Sequence, residues 1–192
     1  MRKACVFCAS SGLVPQYYTS EARRLGERLA AEGWGLVYGG GSTGLMGAVA
    51  DGILDAGGSV TGVIPRFMVE VEWQHKGVAD MRLTDTMSER KRIMVDMADA
   101  IIVLPGSTGT LDELFEVVAD KKLGLHNKPI ALLNSNGFYD STLAQLRLMV
   151  EQKFMTQRHL DVLSPAASID EVMAIISSKP ADGLNLTDAQ VR

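Results

Sequence analysis

The sequence predicts an α/β fold, a single-domain Rossmann-like doubly wound parallel sheet, and three observations carry that expectation. Short apolar runs rich in β-branched residues recur along the chain. Between them lie longer stretches whose apolar residues return at helical spacing. Two glycine-rich turns, GGGSTGLMG at 39–47 and PGSTG at 105–109, each follow a run of the first kind and open a stretch of the second. Continuous apolar strands alternating with helices imply a parallel sheet covered on both faces. Its crossovers should be right-handed and its ligands should sit at the carboxyl ends of the strands, where both glycine turns fall.

The elements follow in order. Residues 3–9 read as a strand, and Ser10-Ser11-Gly12 as a turn. Residues 17–32 form an amphipathic helix with Ala22, Leu25, Leu29 and Ala30 as its apolar stripe, ended by Gly33. A short strand at 36–38 leads through the first glycine turn into a helix reaching residue 56, and a strand at 59–64 is stopped by Pro65. Residues 66–77 are irregular; 79–83 read as a strand and 86–97 as a helix. The strand 100–104 passes through the second glycine turn into a helix ending near 122–124. Strand 129–133, helix 139–151, a short strand at 160–163 and a last helix at 169–177 complete the pattern. The domain is expected over 1–180, with 181–192 a polar, loose tail.

A chain of 192 residues, 46% hydrophobic and 22% charged, suits one globular domain with a proper core. The net charge of −4 and the absence of a basic block argue against nucleic acid as a partner. No apolar run approaches the roughly 20 residues that span a bilayer, so no membrane partner is expected. The first eight residues carry a basic pair but too short an apolar run for a signal peptide, and cytoplasm is the default location. Cys5 and Cys8 have redox-motif spacing but fall in a strand, where side chains three apart point to opposite faces. They read as buried strand cysteines. His75, His126 and His159 lack metal-ligand spacing and read as structural; neither metal nor cofactor is expected.

Chemistry is concentrated around residues 104–113. A helix entered through Gly106 and Gly109 presents unpaired N–H groups and the positive end of its dipole, which suits a phosphate. Thr108 and Thr110 can add hydroxyl donors, and Asp112 and Glu113 stand one turn on. A phosphate seat beside a carboxylate suggests work on a phosphorylated small molecule. The competing reading makes Thr110-x-x-Glu113 a capping box. The turn at 39–44 fits the dinucleotide fingerprint in letters, yet it follows the second strand, and no acid lies between Asp55 and Glu70 to bind a ribose. Neither turn carries a P-loop lysine. In the helix at 86–97, Thr86 and Glu89 look like a capping box, and Met87, Arg90, Met94 and Met97 share a face. An arginine in an apolar stripe either snorkels or has a partner, and its position before the phosphate turn directs it toward the ligand.

At this point the motifs resemble those of the LOG family, the cytokinin riboside 5′-monophosphate phosphoribohydrolases, long labelled "possible lysine decarboxylases". Residues 105–113 resemble PGGxGTxxE, 87–91 resemble MHxRK, 37–47 resemble VYGGGSxGLMG, and 123–129 match LGxHxKP. The run Gly62-Val-Ile-Pro65 with Glu72 and His75 is similar to the family's GVIP…E..H segment. The likeness covers residues 4–177. It implies hydrolysis of the N-glycosidic bond of a nucleoside 5′-monophosphate, with Arg90 and Glu113 as the catalytic pair. It further implies substrate contacts at Glu72, Met87, Lys91, Gly40 and Gly41. The phosphate loop it implies runs through Gly106, Ser107, Thr108, Gly109, Thr110 and Asp112. No cofactor is implied, and the family is usually dimeric. Lysine decarboxylation would need pyridoxal phosphate, and no lysine here stands in the context for it.

Three stretches depart from the family pattern. Ser107 replaces the second glycine of PGG, Ser88 stands where histidine is usual, and Ala119-Asp120-Lys121-Lys122 replaces a TWAQ-like run of the base pocket. The last change removes an aromatic ring and adds charge, which points to AMP or another purine nucleotide in place of a prenylated adenine nucleotide. Two alternatives stand beside hydrolysis: a nucleotide-binding sensor without turnover, and an NAD-linked oxidoreductase.

Overall fold

The computed structural model describes residues 1–69 and 74–178. Glu72 and the expected tail lie outside the described residues. The strands are β1 (Lys3–Phe7), β2 (Gly35–Tyr38), β3 (Val60–Pro65), β4 (Asp80–Thr84), β5 (Ala100–Val103), β6 (Ile130–Leu133) and β7 (Ser164–Ala166). The helices are α1 (Gln16–Ala31), α2 (Gly44–Asp55), α3 (Met87–Asp96), α4 (Thr108–Lys122), α5 (Asp140–Glu151), α6 (Gln157–Leu160) and α7 (Ile169–Ser177). All strands pair in parallel in the order β4-β3-β2-β1-β5-β6-β7. The doubly wound sheet expected from the sequence is what forms.

Alternating side chains on the strands feed two cores. Ala4, Val6, Cys8, Leu36 and Tyr38 pack with Leu25 and Leu29 of α1, Val49 and Ile53 of α2, and Val172 and Ile176 of α7. On the other face Cys5, Phe7, Val37, Ile101 and Val103 meet Met94 of α3, Leu114 and Val117 of α4, and Leu143 and Leu146 of α5. Leu25 and Leu29 are fully buried, each contributing about 2 kcal/mol relative to exposure. The two cysteines therefore sit in opposite cores, both buried and neither in a disulfide.

The chain winds outward from β1 to β4 and returns to β5 beside β1. The loops leaving β1 and β5 thus diverge to opposite faces, opening a crevice at their carboxyl ends. On the α4 side, the connection to β6 is latched by His126, whose Nε2 lies 3.0 Å from the Val117 carbonyl, and by Lys121, whose Nζ donates to the Lys128 carbonyl at 2.8 Å.

Three expectations need correction. No strand forms at 160–163: Leu160 ends the helical turn α6, residues 161–163 make a turn, and β7 follows at Ser164–Ala166. Thr156 and His159 form a capping box there, which overrides the short apolar run. Pro165 in β7 is tolerated because β7 is an edge strand. Pro65 does not stop β3 but is its last residue, paired with Thr84. The first strand ends at Phe7, two residues early, because Ala9 is drawn off to Pro105, its N–H donating to the Pro105 carbonyl at 3.1 Å.

Candidate active site

Helix α4 begins at Thr108 with Ser107 as its N-cap. Ser107 has φ −90° and ψ −163°, an extended conformation open to any residue, so serine replaces glycine there without strain. Its side chain makes no capping hydrogen bond. Ser107, Thr108 and Gly109 are exposed, and a Cβ placed on Gly109 would meet nothing within 4 Å. The positive end of a 15-residue helix therefore opens on solvent at the carboxyl edge of β5. Thr110 is buried, with its side chain folded over Gly106. The Thr110–Glu113 capping box does not form. The helix starts before Thr110, which places both residues inside it and leaves both buried.

The first glycine turn does different work. The N–H groups of Leu45 and Met46 donate to the Ala9 carbonyl at 3.0 and 3.2 Å, and Thr43 Oγ1 donates to the Ser10 carbonyl at 2.7 Å. The first amides of α2 are thus used within the protein, which weakens the dinucleotide reading for Gly39–Gly44. Gly44 has φ +60°, and a Cβ there would stand 2.7 Å from the Ser10 carbonyl carbon. The Gly40 carbonyl accepts from the His75 N–H at 3.0 Å, and Gly41 bridges to Gln74. His75 Nε2 lies 3.0 Å from Asp51 Oδ1, which fixes this segment to α2.

Arg90, on α3, is 3% exposed, so it does not snorkel. Its Nε donates to the Val63 carbonyl at 3.0 Å and its Nη2 to the Gly39 carbonyl at 3.2 Å. Its Nη1 lies 3.7 Å from Glu113 Oε1, and Glu113 is 5% exposed. Gly39 is needed for this approach: a Cβ there would overlap Arg90 Nη2. Cys5 lies beneath the pair, its thiol pushed up first by burial and then by the Glu113 charge, so it stays protonated.

Next to the pair, Lys91 Nζ lies 2.9 Å from Asp112 Oδ2 and also contacts the Glu116 carboxylate. Burial works to lower the Lys91 pKa, but the bonds to Glu116 and Asp112 together raise it. A cleft of about 460 Å³ between α3 and α4 is lined by Phe7, Thr86, Lys91, Glu113, Glu116 and Asp120. Met87 is half exposed at the start of α3. Thr86 caps that helix, accepting from Glu89 N at 3.1 Å, but Glu89 Oε2 accepts from Asp85 N, so only half of the expected box closes.

The structure therefore gathers Arg90, Lys91, Asp112 and Glu113 at one cleft, beside the exposed start of α4. Gly40 and Gly41 serve main-chain contacts to residues 74–75. Sequence reasoning missed Glu116, the second partner of Lys91, and the carbonyls of Gly39 and Val63 that hold Arg90. Spacing carried a signal for the first, since Asp112 and Glu116 are four apart on a helix.

Comparison with known proteins gives three findings. A family model described as "Possible lysine decarboxylase" matches residues 46–176. Cytokinin riboside 5′-monophosphate phosphoribohydrolase LOG of Oryza sativa subsp. japonica is 42% identical, covering 86% of this chain and 69% of that one. Its counterpart LOG3 of Arabidopsis thaliana is 42% identical, covering 86% of this chain and 78% of that one. Across such relatives the aligned share of their own length runs from 66% to 82%. Among solved structures, a molybdenum cofactor binding protein from the phototrophic bacterium Rippkaea orientalis has the same fold, with a TM-score of 0.70 at 22% identity, covering 91% of this chain and 94% of that one.

Proposed function

The chain belongs to the LOG family, and on that footing we propose that it hydrolyses the N-glycosidic bond of a nucleoside 5′-monophosphate, giving free base and ribose 5-phosphate. The 5′-phosphate docks on the amides at Gly106–Thr110 with the Thr108 hydroxyl, and Lys91 supplies positive charge. As the glycosidic bond breaks, its electron pair leaves with the base, which takes a proton, and oxocarbenium character builds on the ribose. The Glu113 carboxylate stabilises that charge and orients or deprotonates the water that adds to C1′. Arg90, with two nitrogens already engaged by backbone carbonyls, holds Glu113 ionised and in place. Met87, Gly40, Gly41, Asp112 and Glu72 are proposed as further substrate contacts.

The observation that carries this reading is the buried Arg90–Glu113 pair beside the open start of α4. Asp120 in the same cleft favours AMP or another purine nucleotide over a prenylated one. We also propose a homodimer and a cytoplasmic location; exposed Phe115, Leu123 and Leu125 on and after α4 are available for a subunit contact. Incubation with AMP and N6-isopentenyl-AMP, followed by chromatography of free base, tests the activity. No base from either substrate, or undiminished release by Glu113→Ala, refutes it.

A further inference from the structure

Asp112 and Glu116 lie one turn apart on α4 and share an edge of that helix. Lys91 crosses from α3 to sit between their carboxylates. The lysine side chain is only 13% exposed, against 60% for Asp112 and 39% for Glu116, so the cation is the enclosed member and the two acids are its anchors. Glu113 falls between those anchors in sequence and lines the same cleft as Lys91 and Glu116. Among the described residues, Arg90 of α3 pairs with it, Lys91 of α3 and Asp112 and Glu116 of its own helix stand beside it, and Glu89, Arg92, Asp96 and Asp120 line the same cleft. Cys5 on β1 and Tyr139 ahead of α5 also face it, and both are held neutral, burial being the leading cause of each raised pKa.

We infer that Glu116 is a positioning residue: with Asp112 it anchors Lys91 in the α3–α4 cleft, and this three-residue bridge sets the proton affinity of Glu113. The inference rests on the reading of Glu113 as the acting carboxylate. A nearby ammonium favours the ionised form of Glu113, whereas a nearby carboxylate opposes it. Asp112 still holds Lys91 when Glu116 is made neutral; loss of Lys91 must therefore make Glu113 harder to ionise, and loss of the Glu116 charge alone must make it easier. Glu113 and Glu116 stand at i and i+3 of α4, about 6 Å apart, and the expected displacement in Glu116→Gln is about one pH unit downward; Lys91→Met moves it upward.

The test uses protein labelled with carboxyl-¹³C glutamate, the Glu113 resonance being assigned by its loss in Glu113→Gln. Wild type, Glu116→Gln and Lys91→Met are titrated by NMR, and the acid limb of kcat for base release from AMP is recorded on the same samples. The Glu113 titration and the acid limb should move down in Glu116→Gln and up in Lys91→Met, while Lys91→Arg should restore the wild-type curve. Glu116→Ala and Lys91→Gln form a second pair should either first variant fail to fold. A purely structural role would move both variants in one direction or neither, and either result overturns the inference. If the titrations diverge as stated but the wild type releases no base, the hydrolase reading falls and the bridge stands. If base is released and the titrations coincide, the bridge falls and the hydrolase reading stands.

Discussion

Replacing Arg90 by methionine separates what the guanidinium does for folding from what it does for chemistry. The side chain fills a site that is 3% exposed, donates to the carbonyls of Val63 and Gly39, and forms an ion pair with the carboxylate of Glu113. Methionine keeps much of the volume but donates to none of them. Breaking one side of a buried ion pair costs about 3–5 kcal/mol, because the remaining charge stays in a poorly solvating place. For a protein of this size each kcal/mol lowers the melting temperature by about 2–4 °C, so Arg90→Met should melt at least about 6 °C and commonly about 10 °C below wild type. Glu113→Gln should behave differently. Arg90 keeps both carbonyl partners, so the stability loss should be about 1–2 kcal/mol, while kcat for base release falls by about 10²–10⁴-fold. Combining the two changes removes the stranded carboxylate, so the double variant should be more stable than Arg90→Met alone. Thermal unfolding of the three variants, with base release measured on each, decides the matter. An Arg90→Met protein that melts with wild type, or a double variant no more stable than that single one, refutes the account of a buried pair.

Three further outcomes are expected. Gly39→Ala drives a Cβ into Arg90 Nη2 and to 2.9 Å from Met46 Cε, so it should cost about 1–3 kcal/mol and lower kcat more than it raises KM; retained kcat in the folded variant would count against the placement of Arg90. Ser107→Gly should leave stability within about 0.5 kcal/mol, since Ser107 has negative φ and caps nothing; a larger change in denaturant midpoint contradicts this. His126 has a pKa lowered chiefly by burial, with Nδ1 accepting from the Lys128 N–H at 3.2 Å. The folded state binds this proton more weakly than the unfolded chain. The ring therefore contributes stability in full above its unfolded value of about 6.5 and loses it as pH falls through the lower folded value. Urea unfolding at pH 8 and pH 5 should show a steeper loss for wild type than for His126→Gln, and parallel losses would remove the effect.

Much of this architecture was legible in the residue pattern. The buried strands announced themselves as β-branched runs, and the opposite faces of Cys5 and Cys8 followed from the two-residue period alone. Arg90 was conspicuous because an arginine among methionines needs acceptors. What stayed hidden was the identity of those acceptors: the carbonyl of Val63 lies in β3 and that of Gly39 in the turn after β2, both far away in sequence, and main-chain oxygens leave no mark in composition. The short strand expected at 160–163 falls between the helical turn Gln157–Leu160 and β7, because so short a run carries no period of its own and the deciding feature is a cap at Thr156. The Thr110–Glu113 spacing allowed both a cap and a buried carboxylate, and only the start of α4 at Thr108 separated them. Glu72 lies outside the described residues, and its assignment stays with the family resemblance.

The sheet divides the molecule into two slabs with unequal duties. Both members of the Arg90–Glu113 pair hang from helices on one side. The outward surfaces of α1 and α7, joined by Arg28 and Asp170 at 3.2 Å, lie on the other. Evolution and the laboratory can therefore rework that rear wall for heat tolerance, solubility or tethering to a support while the turnover machinery at the front goes on unaltered.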